Sequence, residues 1–215
     1  APVIPADNPM TVEGVDLGKK LFFDPILSQD RSISCGSCHN PEFAFADNRS
    51  FSHGVNDSLG KRNTPSVMNM ASRDHYFYDG RAATLEEQAI GPIENPVEMN
   101  LKIEEVISRL NKSELYIKLF QKIYLQEPTV ENVTNALAAF QKSLESDGSA
   151  QHDIWMRDEN PKAMSLSQQR GRELFLEKAK CFDCHFGPDF TGDEFRNIGT
   201  YDEDAYLDKG RFDIT

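Results

Sequence analysis

Apolar residues recur at helical spacing along most of the chain, and no run alternates with polar residues in the way a strand requires. Val15 to Phe23 predicts a short helix stopped by Asp24-Pro25. The dozen residues before it are rich in proline and predict extended chain. Residues 40–66 are rich in Asn, Ser, Asp and Gly and predict a long loop; a loop of that length in a compact domain is usually functional. Thr84-Leu85-Glu86-Glu87 carries a capping-box pattern and starts a short helix that Gly91-Pro92 is expected to end. Lys102 to Tyr124 predicts a helix in two pieces. Val130, Val133, Leu137, Phe140 and Leu144 then share one helical face, with Thr129 as N-cap. Polar residues 145–164, with Asp147-Gly148-Ser149 and Asn160-Pro161, read as an interdomain linker before a last helix over Ser167 to Glu177. The fold class is mainly α.

Composition narrows the class without fixing it. The 215 residues are 39% hydrophobic and 27% charged, ordinary for a soluble globular protein and enough for one large domain or two small ones. No stretch of 18 or more apolar residues predicts a membrane span, and the opening Ala1-Pro2-Val3 reads as a mature form after leader removal. A formal net charge of −12 argues against nucleic acid as a partner and favours a basic or weakly charged protein.

The four cysteines change the picture. They form two Cys-x-x-Cys pairs, Cys35 with Cys38 and Cys181 with Cys184, each followed at once by a histidine, His39 and His185. This is the attachment signature of haem c: two thiols add to the vinyl groups of one haem, and the next histidine is held under the iron as an axial ligand. A zinc site built from both pairs leaves two of only five histidines unexplained. A thioredoxin-like pair wants a strand-to-helix junction that the pattern lacks, and a disulfide framework suits shorter chains. Two covalent haems place the protein outside the cytoplasm, in the periplasm. Gly18-Lys19-Lys20-Leu21-Phe22 before the first motif is echoed by Gly171-Arg172-Glu173-Leu174-Phe175 before the second. The repeat predicts two cytochrome c-like domains with one haem each, over residues 1–150 and 151–215.

Further segments carry a family resemblance. Leu17 to Pro25, Ser32 to Cys35, Gly60-Lys61-Arg62-Asn63-Thr64-Pro65-Ser66, Asp79-Gly80-Arg81-Ala82, and Glu87-Gln88, Gly91-Pro92 and Asn95-Pro96-Val97-Glu98-Met99 occur in order. Together they resemble the bacterial di-haem cytochrome c peroxidase and MauG family from about residue 14 to the end. The resemblance implies a peroxidatic haem on Cys35, Cys38 and His39 and an electron-entry haem on Cys181, Cys184 and His185. It implies a distal catalytic pair, Gln88 and, ten residues on, Glu98. A carboxylate in a dry pocket, its pKa raised by burial, suits proton transfer on peroxide, and a neutral amide orients peroxide without titrating. It further implies His53 as a loop ligand that caps the peroxidatic iron in the resting form, and Asn63 as a ligand to a calcium ion, which takes oxygen donors. His75 and His152 belong to no motif and read as structural or exposed.

Two departures bear on function. The family usually has tryptophan before Asp-Gly-Arg, between the haems; here it is Tyr78, an alternative aromatic path. The chain also stops 30 residues after His185, whereas the family continues into a segment that carries the sixth ligand of the second haem, so the second domain reads as truncated. The expected function is reduction of hydrogen peroxide to water with electrons from a small donor protein, a cytochrome c or a cupredoxin. The alternatives are a MauG-like oxidase of a protein substrate and a non-catalytic di-haem electron carrier. The family commonly dimerises, so a homodimer is an expectation.

Overall fold

A computed structural model describes residues 8–158, 160–199 and 208–215; residues 1–7, most of the expected extended start, lie outside them. Among the described residues there is no strand, only isolated bridges such as His53 with Leu59, and the fold is mainly α. The chain separates into two compact units. Described residues up to 144, together with 208–215, make the first, and residues 145–199 fall in the second. Each unit contains one Cys-x-x-Cys-His motif.

In the first unit, α1 (Val12–Phe22) begins three residues before the predicted start because Thr11 caps it, its Oγ1 accepting from Gly14 N at 3.1 Å. The single turn α2 (Cys35–Cys38) carries the first motif. The helix α3 (Leu85–Glu94) runs through Gly91-Pro92, against the expectation that this pair would end it. Proline costs only its own N–H bond there. Ala89 and Ile93 on either side of it are buried, and Asn95 N still donates to Gly91 O at 3.0 Å. The predicted two-piece helix is α4 (Ile103–Leu110) and α5 (Glu114–Tyr124). Thr129 caps α6 (Val130–Lys142) in a capping box with Asn132.

The core forms where α1 crosses α6. Leu21, Phe120, Val133 and Ala136 are fully inaccessible, and Phe22 stacks edge-on to Phe140 at 5.1 Å. Gly18 sets the spacing, since a Cβ there would stand 1.9 Å from Ala136 O. Phe22 also lies 6.1 Å from the His39 ring, so the first motif is seated on the aromatic end of this core.

The second unit contains α7 (Gln151–Arg157) and α8 (Leu166–Leu176). The first of these falls inside the stretch expected to be linker, a helix between the turn residues Asp147-Gly148-Ser149 and Asn160-Pro161. Ser165 and Gln168 form the capping box that starts α8 one residue before the predicted Ser167.

Candidate functional site

Both cysteine pairs are reduced thiols in partly buried positions. Burial pushes Cys35 up to about 12 and Cys38 up to about 11, the latter helped by the charges of Asp47 and Glu98. Thiols raised this far are the opposite of a thiolate redox pair. His39 follows on the turn. Its Nδ1 faces two backbone carbonyls, Phe45 O at 3.0 Å and Pro65 O at 3.1 Å, which fixes the ring and leaves Nε2 as the lone-pair nitrogen. Burial lowers the His39 pKa against the raising effect of these carbonyls, so the ring is held neutral, the form that binds iron.

The second motif repeats the geometry. His185 Nδ1 meets Phe190 O at 3.0 Å, again freeing Nε2. Beside it lies a cavity of about 710 Å³, the size of a cofactor site. Its walls include Phe182 between the two cysteines, Phe190, Phe175 and Leu176, with His152 and Arg172 at a polar corner. Both motifs fit the group that the sequence implies: paired thiols, a tautomer-fixed histidine and, in the second unit, an apolar cleft.

The long loop over residues 40–66 is laced rather than loose. Ser52 and Thr64 hydroxyls bond each other, Asp47 N donates to Thr64 O, and Asn63 Nδ2 donates to Asp47 O and Arg49 O. These bonds occupy the amide nitrogen of Asn63 and leave its Oδ1 for another partner. The loop then crosses the Asn95–Met99 turn. Val55 N donates to Glu98 O at 2.8 Å, and a Cβ on Gly54 would lie 2.1 Å from Val97 O, so only glycine permits the approach. Cys38 Sγ sits 3.8 Å from His53 O. The first motif, His53 and Glu98 are thereby gathered in one place.

Glu98 is partly buried, and burial raises its pKa against the Asn95 Nδ2 hydrogen bond at 2.8 Å and the charge of Arg81. Asn95 also closes its own turn, its Oδ1 accepting from Val97 N. His53 Nδ1 pairs with Asp57, which leaves its Nε2 without a proton in the neutral ring. Gln88 stands partly buried on α3, and the Asn95–Met99 turn folds back on that helix through Met99 N to Pro92 O at 3.1 Å.

Tyr78 is 73% exposed. The Arg62 guanidinium lies 5.1 Å from its ring centre and donates to buried Asp79 at 2.7 Å and to Asp208 at 2.7 Å. Burial pushes Asp79 up, but Arg62 and Arg81 outweigh it and hold the carboxyl below its ordinary value. Arg211 adds a hydrogen bond to Asp79 O at 3.0 Å. Two of the quoted motifs, around Arg62 and around Asp79, thus meet at one ion cluster. Asp57 and Asp208 were not singled out in the sequence, and Asn95 was quoted there only within a motif, with no role of its own. Asp57 and Asn95 had a usable signal, a His-x-x-x-Asp spacing and an Asn-Pro turn before the acid.

Comparisons with known proteins identify the family. A family described as di-haem cytochrome c peroxidase matches residues 12–161. The chain is 42% identical over 198 residues to the methylamine utilization protein MauG of Methylorubrum extorquens, covering 91% of this chain and 55% of that protein. It is 38% identical to the cytochrome c peroxidase Ccp of Escherichia coli, over 99% of this chain and 46% of that one. A crystal structure of a MauG-like protein associated with microbial copper homeostasis superposes with a TM-score of 0.85 at 30% identity, over 100% of this chain and 68% of the other. The chain spans about half the length of these curated relatives.

Proposed function

The chain belongs to the di-haem cytochrome c peroxidase family, and from that premise we propose that it reduces hydrogen peroxide to water, with one haem c in each unit. The observation that carries this reading is the loop crossing in the first unit. It pins the backbone of Glu98, whose carboxyl has a raised pKa, against the segment that touches Cys38. A carrier of electrons has no use for a buried acid there; peroxide cleavage does.

When bound, the haem would supply the redox-active iron that peroxide reduction needs. Cys35 and Cys38 would hold it covalently, with His39 Nε2 as its protein ligand. Glu98 takes a proton from peroxide and returns it to the departing oxygen, while Gln88 orients the substrate without titrating. His53, steadied by Asp57 at Nδ1, would offer Nε2 as the cap of the resting site. Cys181, Cys184 and His185 hold the second haem, where a small donor protein, a cytochrome c or a cupredoxin, delivers electrons. Tyr78 would offer an aromatic step for electrons on their way to the first haem, and Asn63 would offer Oδ1 to calcium. The periplasm is where such haems are attached and peroxide is met. In the described residues no helix is long and apolar enough to cross a membrane.

A second reading, oxidation of a partner protein, draws on the MauG relatives. Stopped-flow mixing of the haem-loaded protein with hydrogen peroxide and reduced cytochrome c decides among these. Peroxide-dependent donor oxidation that is lost in Glu98→Ala supports the peroxidase. A protein with both haems attached that shows no such oxidation, and whose first haem stays six-coordinate in both redox states, is an electron carrier.

A further inference from the structure

We propose that His152 and Arg172 form the anion-binding corner that anchors a carboxylate side chain, a propionate, of the haem held in the second unit. The inference rests on the reading of Cys181, Cys184 and His185 as a haem site. It concerns a residue that stands in no motif.

The cavity beside the second motif is apolar on most sides, matching a porphyrin face. A haem also carries two carboxylates, and burying those requires donors. The corner formed by α7 and α8 has them. Arg172 Nε donates to His152 Nε2 at 3.3 Å, so in the neutral imidazole the proton sits on Nδ1. That Nδ1 is buried and has no hydrogen-bond partner. The Asp153 carboxylate, with Oδ1 at 3.8 Å, lies beyond hydrogen-bond reach. A buried donor left unmatched costs roughly 1–3 kcal/mol, which an acceptor entering the cavity would recover.

Arg172 is unmatched in a second sense. The chain has 35 acids, yet among the described residues Arg172 has no carboxylate partner. It lies 5.0 Å from the Trp155 ring centre and directs a terminal nitrogen to Met156 Sδ at 3.5 Å. Arg157, the other arginine lining the cavity, is occupied by Asp158 at 2.8 Å. A guanidinium with no carboxylate partner among the described residues, beside an orphaned ring N–H at the polar edge of an apolar cleft, makes a carboxylate receptor. Asp153 works against an incoming anion, and Arg172 offsets it. The His152 ring also meets Phe190 edge-on at 5.3 Å, and Phe190 supplies the carbonyl for His185. The corner is therefore built onto the segment that sets the axial histidine.

The test is a set of variants in the haem-loaded protein, read by the propionate bending modes in resonance Raman spectra and by the midpoint potential of each haem. His152→Phe removes the donor, and His152→Gln keeps one. Arg172→Leu removes the charge. Losing either leaves more negative charge near the iron, so the potential of the second haem falls and its propionate mode moves. His152→Gln stays near wild type, and the haem on Cys35 and Cys38 is unchanged throughout. If Arg172→Leu fails to fold, the two His152 variants decide. Wild-type modes and potential in His152→Phe overturn the proposal. Mass spectrometry showing no haem on the peptide with Cys181 and Cys184 overturns the haem reading itself, a distinct failure.

Discussion

Replacing Asp208 with asparagine tests the ion cluster that fastens the end of the described chain to the first unit. Arg62 hydrogen-bonds the Asp208 carboxylate through two nitrogens, and this pairing lowers the acid from 3.8 to about 2, against the opposing effect of burial. The side chain is 28% exposed, so solvent screens the pair only in part. A folded-state pKa below the unfolded one stabilises the structure at pH values above the unfolded pKa, and that stability is lost as pH falls through the folded value. The shift corresponds to roughly 2 kcal/mol at neutral pH and to about half of that near pH 3. Arg62 keeps Asp79 in the variant, so no buried charge is orphaned and the loss is confined to this pair. Because the protein has two units, a single global unfolding curve is the wrong measure. Native-state hydrogen exchange of residues 209–215 reads the local opening directly. Asp208→Asn should speed exchange there on the order of tenfold or more at neutral pH, with a smaller gap to wild type at the acid end. Unchanged protection, or a gap that does not shrink with acid, would refute the reasoning.

Other outcomes follow from the same structure. The peroxide kcat/KM should fall on the acid side with a midpoint above the ordinary 4.5 of a glutamate, because Glu98 must be ionised to take a proton and burial raises its pKa. Asn95→Leu removes the bond that lowers it and should move the limb to higher pH, while Glu98→Gln should abolish the limb and cost about 10²–10⁴ in kcat. Gly18→Ala should destabilise the first unit by about 1–3 kcal/mol, read by hydrogen exchange of the α1 and α6 amides, since its Cβ meets the Ala136 backbone and α1 must move off α6. Phe120→Ala, at a position with no exposure, should cost about 3–5 kcal/mol by the same measurement.

The haem motifs were legible because covalent attachment demands thiols and histidine at adjacent positions. Helix α6 was legible because Thr129 and its apolar stripe are local. Gly91-Pro92 misled because a proline removes one hydrogen bond, and the buried face of Ala89 and Ile93 outweighs that loss. Helix α7 hid among turn residues because a seven-residue polar segment has almost no periodic signal. Within the site, the partners of His39 are the carbonyls of Phe45 and Pro65, and a backbone carbonyl has no residue type to read. The pairing of Arg62 with Asp208 spans 146 positions in a chain with 35 acids, so nothing local marks it. His152 looked idle for a similar reason: its meaning lies in a missing partner.

The second unit is inserted into the first, which closes only when residues 208–215 return to Arg62 and Asp79. Polymer statistics give this topology a consequence. The entropy of closing such an excursion grows with the logarithm of its length, and doubling it costs only about 0.6 kcal/mol. The intervening segment can therefore lengthen or be exchanged at little thermodynamic cost, provided its two ends still meet. The closing pair joins Arg62 to Asp208, which follows the second motif in the chain, so the clasp on the first unit forms only after that motif has been made.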